Sequence, residues 1–369
     1  MSILTAYSSK SDAREAAQEI GSQLLPAAPR LVVFFASSHY DPVAISASMQ
    51  EFWGDSLTLG CSTAGEIVSG KMLKQTIVAM GIGSDIIDDA AVEVVSSIRS
   101  ENRIAAAFGA IERHFGTSIG ALDFEKFAGM ILVDGLQSAE EKLMMKIGDL
   151  TDIPFIGGSA GDNLAFRKTF VYTGGKSYTD AAVIAVLKLK KGFDIIKTQS
   201  FRLMNKTLTA TKVDEAVRTV LEFDGRPAVE AYASALGIGP AEVAANFMNH
   251  PLGLMTGAGE PYVRSPQQVK GSAIAFFCAI KEGMELSLLE STDIVADTQK
   301  AVTRAVTSNG SVAGMINFNC ILRTLELEQK NQTEPYGKIF SSIPTVGFST
   351  YGEEYIGHIN QTATILVFK

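Results

Sequence analysis

Gly60-Cys61-Ser62-Thr63-Ala64-Gly65-Glu66 and Gly157-Gly158-Ser159-Ala160-Gly161-Asp162 are two versions of one glycine-rich turn, and what flanks them decides the fold. Ahead of the first, Leu31 to Ala36 is an unbroken apolar run, as expected for a strand buried on both faces. Asp41-Pro42 then opens a helix, with proline in its first turn, and Leu57 to Leu59 leads into the glycines. Ahead of the second, Ala128 to Val133 repeats the apolar strand, Ser138 to Leu150 the helix, and Ile153 to Ile156 the approach. Strands and turns recur at an offset of roughly 97 residues, with a one-residue gap inside the turns. The competing reading is chance likeness between two Gly/Ser/Ala segments.

Working outward, Ile3 to Ser8 reads as a strand and Ser11 to Leu25 as a helix capped by Ser11. Thr76 to Ile82, Ala91 to Val95, Val171 to Thr173 and Ala181 to Leu189 read as strands, and Ile104 to Phe115 as a helix. Several connections are too short for a purely parallel arrangement. The expectation is an α/β fold of mixed sheets with flanking helices, duplicated as units at about 1–100 and 101–190. Residues 191–369 change character, to an α+β domain. There Phe193 to Thr211 is strand-rich, Phe223-Asp224-Gly225-Arg226-Pro227-Ala228 turns into a helix ending at Gly237, and Pro240 to Met248 forms another. Strands over 252–289, a helix from Asp293 to Ser308, a strand at Ala313 to Phe318, a turn-rich stretch and a last strand at Thr364 to Phe368 complete it.

Composition narrows the function classes. The 369 residues are 46% hydrophobic and 20% charged, which suits folded domains and not disorder. A net charge of -8 without a Lys/Arg cluster argues against nucleic acid as a partner. No apolar run approaches the roughly 18–20 residues of a membrane helix, and the first residues lack the pattern of a signal peptide. Three widely spaced cysteines, Cys61, Cys278 and Cys320, fit free thiols in a reducing, cytoplasmic setting, without the spacing of a zinc site.

Taken together, these segments resemble the FIST family, with its N-terminal domain over 1–190 and its C-terminal domain over 191–369. The resemblance rests on Phe35-Ala36-Ser37, on the two glycine-rich turns, and on Asp224-Gly225-Arg226-Pro227-Ala228 followed by Tyr232. Pro251-Leu252-Gly253-Leu254, Tyr262-Val263-Arg264, Glu282-Gly283-Met284, Phe318-Asn319-Cys320 with Arg323, and Gly347-Phe348-Ser349-Thr350-Tyr351-Gly352-Glu353 extend it. Where the family often has Ala-Gly after that cysteine, this chain has Ile321-Leu322. The resemblance implies a sensory module for a small ligand and not an enzyme. It is similar to the stand-alone NosP-type branch, which implies haem, nitric oxide sensing and a partner histidine kinase; the family more widely implies a kinase or cyclic-di-nucleotide signalling protein as partner.

An axial ligand for haem iron is usually histidine, and the chain has four. His250, before Pro251 at the end of an apolar helix, is the leading cofactor and metal candidate. His39, just past the Leu31 to Ala36 strand, and His358, ahead of the last strand, follow it; His114 reads as a surface residue. The turns suggest a second, polar site for a zwitterion such as an amino acid. Its candidates are Cys61, Ser62, Thr63, Glu66, Ser159 and Asp162, with Arg264 and Glu353 from the second half. Neither turn matches a nucleotide-binding glycine pattern. A cysteine on a sharp turn could also be a nucleophile, giving the rival reading of a hydrolase, but no triad signature accompanies Cys61.

Overall fold

The computed structural model describes residues 3–100, 103–255 and 259–369. The first copy of the repeat runs β1 (Ile3–Ser8), α1 (Ala13–Leu24), β2 (Pro29–Ser37), α2 (Pro42–Trp53), β3 (Leu57–Thr63), the hairpin β4 (Glu66–Val68) and β5 (Lys71–Leu73), and β6 (Ile77–Gly83). The second runs β7 (Ile87–Ser96), α3 (Ile104–Phe115), β8 (Phe127–Val133), α4 (Glu140–Leu150), β9 (Phe155–Ser159), the hairpin β10 (Val171–Thr173) and β11 (Lys176–Tyr178), and β12 (Ala181–Leu189). The two stretches share one order of strands and helices. The cap of α1 is Asp12, not Ser11: its carboxylate accepts from the N–H groups of Arg14 and Glu15.

A third copy starts at β13 (Phe193–Gln199) and is interrupted by a second compact unit, residues 199–297 with 359–362. That unit contains β14 (Phe201–Asp214), β15 (Thr219–Phe223), β16 (Arg226–Pro227), α5 (Ala228–Leu236), α6 (Val243–Asn246), β17 (Leu252–Met255), β18 (Pro261–Arg264), β19 (Pro266–Lys270), β20 (Ala273–Phe276) and β21 (Glu285–Ser291). The third copy resumes with α7 (Ile294–Asn309), β22 (Gly314–Cys320), α8 (Ile321–Gln329), α9 (Thr333–Lys338), β23 (Thr345–Thr350), the hairpin β24 (Glu353–Tyr355) and β25 (His358–Ile359), and β26 (Thr362–Phe368). The stretch expected to be turn-rich thus holds two helices. Helix α8 buries Arg323, Thr324 and Glu326 beside Ile321 and Leu327, so its inner face lacks the apolar period that announces a helix.

In the first compact unit each copy builds a mixed sheet in the same order but gives its hairpin to another copy's sheet. The sheets are β1-β6-β2-β3-β10-β11, β7-β12-β8-β9-β24-β25 and β13-β26-β22-β23-β4-β5. Three equivalent glycines mark the third strands: Gly60, Gly157 and Gly347. A Cβ there would lie 2.0, 1.7 and 2.0 Å from the carbonyl oxygens of Phe34, Ile131 and Asn317, their parallel ladder partners. Only glycine permits that approach.

The apolar runs have a plain cause. Leu31, Val33 and Phe35 face a core shared with Met130 and Leu132 of the second sheet and Phe318 and Phe348 of the third. Val32, Phe34 and Ala36 point the other way, under Ile20 of α1 and Ile45 and Met49 of α2. Both faces being buried, alternation disappears from the sequence.

The second compact unit is built on an antiparallel sheet, β18-β17-β21-β14-β15-β20-β19, with β16 paired to β15. Asp224 and Gly225, at φ 52° and 71°, form the two-residue hairpin that the Asp-Gly pair favours. Helices α5 and α6 supply Val229, Tyr232, Ala233 and Val243 to a core closed by Leu252, Ile274 and Leu286.

Candidate functional site

The glycine-rich turns spend their polar groups on one another. Gly161 N donates to Ser62 O at 2.9 Å, Ser349 N to Gly65 O at 2.8 Å, and Ser159 N to Gly352 O at 2.8 Å. The third participant is Gly347 to Glu353, so three equivalent turns meet within the first compact unit. Ser62, Ser159 and Ser349 have no solvent exposure. The Ser62 hydroxyl donates to Gly161 O and accepts from Phe170 N. Thr63 donates to Glu66 Oε1, while Thr76 donates through N and Oγ1 to Glu66 Oε2 at 3.1 and 2.8 Å. Burial pushes the Glu66 carboxyl up to about 7, against the opposing pull of these donors and of Lys74. Thr350 donates to Glu353 at 2.5 Å. Cys61 lies at 0% exposure, and burial holds its thiol well above the ordinary 9.0.

Asp162 organises a loop. Its carboxylate accepts from the N–H groups of Phe166, Arg167 and Lys168 and from the Tyr351 hydroxyl at 2.6 Å. The loop holds Asn163, Leu164 and Phe166 at φ 55°, 65° and 50°, strained for such residues. It stacks Phe166 on Tyr351 and ties Asn163 to Ser37 and Ser38. His39 follows these serines. Its ring is exposed and rests on Tyr40, with centroids 4.0 Å apart, and partial burial lowers its pKa.

His358 is buried. Its Nδ1 lies 3.2 Å from Glu354 Oε1, and Ser159 Oγ lies 3.2 Å from the same oxygen and 3.3 Å from Glu140 Oε1. Burial alone would lower the imidazole's pKa, but the adjacent Glu354 carboxylate raises it. The ring packs so tightly on Gly352 that a Cβ there would stand 2.0 Å from Cε1.

His250 belongs to the second compact unit, at the turn between α6 and β17. Four successive carbonyls around it are gripped. Gln361 Nε2 donates to Met248 O at 2.8 Å, Ser291 N to Asn249 O at 2.8 Å, Tyr232 Oη to His250 O at 2.5 Å, and Leu289 N to Pro251 O at 2.9 Å. The segment is thereby held rigid, and Pro251 further restricts His250. Against this framework the His250 Nδ1 is buried and has no hydrogen-bond partner among the described residues. Arg264 pairs with Leu252 in the β17–β18 ladder, two residues from His250.

As possible holders of a haem iron, the three histidines differ. The His358 ring is committed to Glu354 and to the Gly352 backbone. His39 is exposed, its ring resting on Tyr40. His250 fits best, because a buried nitrogen without a partner is what a bound group would satisfy. Among the described residues, no group of three or more His, Cys, Asp or Glu side chains is placed to hold a metal ion. No helix there is long and apolar enough to cross a membrane.

Reading residues one at a time missed Tyr232, Tyr351, Glu354 and Gln361 as organisers. Tyr232 and Tyr351 lay inside motifs already noticed; Glu354 and Gln361 carried no local signal.

Comparison with known proteins bears on what this arrangement serves. The FIST N domain matches residues 30–226 and the FIST C domain residues 228–355. The junction between the two falls inside the second compact unit. An uncharacterised protein of Methanocaldococcus jannaschii is 27% identical over 192 residues, covering 48% of this chain and 37% of that protein. The chain thus spans little more than a third of that relative's length.

Proposed function

Since this chain belongs to the FIST family, whose domains are small-ligand sensors, we propose that it binds its ligand through His250 and that the ligand is haem, read as a nitric oxide signal. The observation that supports this is the buried, unpartnered Nδ1 on a backbone segment clasped at four carbonyls. Rigid placement of one donor lowers the ordering cost of binding. Bound haem would supply the iron that takes up a diatomic gas; His250 would hold it. The output would pass by contact to a histidine kinase or a cyclic-di-nucleotide signalling protein in the cytoplasm.

The test is the absorption spectrum of protein loaded with hemin, before and after nitric oxide. A defined one-to-one Soret band that nitric oxide shifts, and that His250→Ala loses or displaces, is the expected result. A Soret band unchanged in His250→Ala removes that residue from the site.

One observation favours an organic ligand instead. Arg264 is the ladder partner of Leu252, within the same compact unit as His250, and a guanidinium suits a carboxylate. An amino acid bound there would raise Tm by mass action in iron-free protein, and hemin would not compete with it through a Soret-active complex.

A further inference from the structure

Each copy of the repeat enters its last strand through a residue in the left-handed region. These are Gln75, Asp180 and Gln361, at φ 58°, 48° and 45°. Ladder register makes them equivalent: Ile77, Ala182 and Ala363, two positions on, pair with Ala36, Val133 and Asn319 of β2, β8 and β22. The first two side chains do little. Gln75 is exposed, and Asp180 accepts a single backbone N–H, from Arg99. Gln361 has no solvent exposure, and both ends of its amide are engaged. Its Nε2 donates to Met248 O at 2.8 Å and its Oε1 accepts from Ser265 Oγ, itself fully buried, at 2.7 Å. The Met248 carbonyl, which can only accept, requires the NH2 end of the amide to face it, and the serine hydroxyl then donates to the other end.

We infer that Gln361 is a positioning residue for His250, an inference that rests on the reading of His250 as the ligand-contacting group. Of the four grips on carbonyls 248–251, two come from β21 and one from α5. The fourth comes from a side chain in the strained turn that leads directly into β26. Strain persists where surrounding contacts over-determine it, and this turn keeps it while turning a buried amide to the His250 segment. The turn therefore sets the direction in which the imidazole leaves the backbone.

The experiment uses the full chain with 13Cε1-labelled histidine. Four histidines give four resonances, and His250 is assigned by its loss in His250→Ala. Gln361→Glu keeps the size and the acceptor for Ser265 but sets an oxygen against Met248 O. Ser265→Ala, which leaves position 361 intact, frees the amide to turn. In both, the His250 resonance should move or broaden while those of His39 and His114 stay in place. Hemin affinity should weaken by about fivefold, the worth of one net hydrogen bond. A His250 resonance unmoved in both folded variants overturns the inference. A moved resonance with unchanged hemin affinity sustains the positioning role and instead overturns His250 as the ligand contact.

Discussion

Ser62 and Gly161 clasp each other reciprocally: the Gly161 N–H donates to the Ser62 carbonyl at 2.9 Å, and the Ser62 hydroxyl donates to the Gly161 carbonyl, also at 2.9 Å. The partners lie 99 residues apart, one in each of the first two glycine-rich turns. The pair joins two copies of the repeat through groups that a phosphate or zwitterion site would need free.

Ser62→Ala removes the donor to Gly161 O and the acceptor for Phe170 N at once. The Gly161 carbonyl contact is buried and the Phe170 N–H contact part-buried, and a buried group left unpaired costs about 1–3 kcal/mol. We expect a loss of about 2–4 kcal/mol in urea unfolding, with an unchanged m-value. A loss under about 0.5 kcal/mol, the range of a neutral surface change, would show that the clasp contributes nothing.

The equivalence of Gly60, Gly157 and Gly347 predicts a graded contrast. A Cβ at Gly347 would meet Asn317 O at 2.0 Å, and the obstacle is backbone of a central strand. Gly347→Ala should cost more than about 3 kcal/mol or abolish soluble expression. Gly310→Ala is the control: its φ of 69° is left-handed but open space surrounds it, so its cost should be about 1–2 kcal/mol. Equal effects at the two sites would contradict the close-approach argument.

These contrasts also explain what could be read from the chain. Leu31 to Ala36 and Ala128 to Val133 announced themselves because both faces of β2 and β8 are buried. The third copy hid. Its β22 carries buried Asn317 and Asn319, held with Tyr336 and Arg323 in a polar network, and α8 presents charged groups inward. An inserted unit of about a hundred residues also breaks the 97-residue offset. At the candidate site, His250 was visible from its place before proline. Gln361 was not, because its role depends on a left-handed backbone and on a carbonyl 113 residues away.

The hydrolase reading makes its own prediction through Cys61. A nucleophilic thiol is accessible and has a lowered pKa. Cys61 has neither property, being at 0% exposure with its thiol pushed up by burial. Iodoacetamide at pH 8 should leave Cys61 unmodified in native protein for hours and modify it within minutes in 6 M guanidinium, as read by peptide mass. Rapid native labelling at Cys61 would restore the enzyme reading.

Glu66 sets the last prediction, on pH. Its carboxyl is raised from an ordinary 4.5 to about 7 by burial, so between those values the folded protein holds a proton that the unfolded chain has lost. Stability from this group is therefore complete below 4.5, falls as pH rises toward 7, and is flat beyond. The size of the change is about 3 kcal/mol, by the conversion of 1.36 kcal/mol per unit. Glu66→Gln keeps a neutral group among Thr63 and Thr76 and has no proton to lose. Its unfolding free energy should match wild type near pH 4.5 and exceed it above pH 7, with the two curves diverging only in that window. Parallel curves from pH 4 to 8 would show that Glu66 titrates in the folded protein as it does in the unfolded chain, its threonine donors offsetting burial.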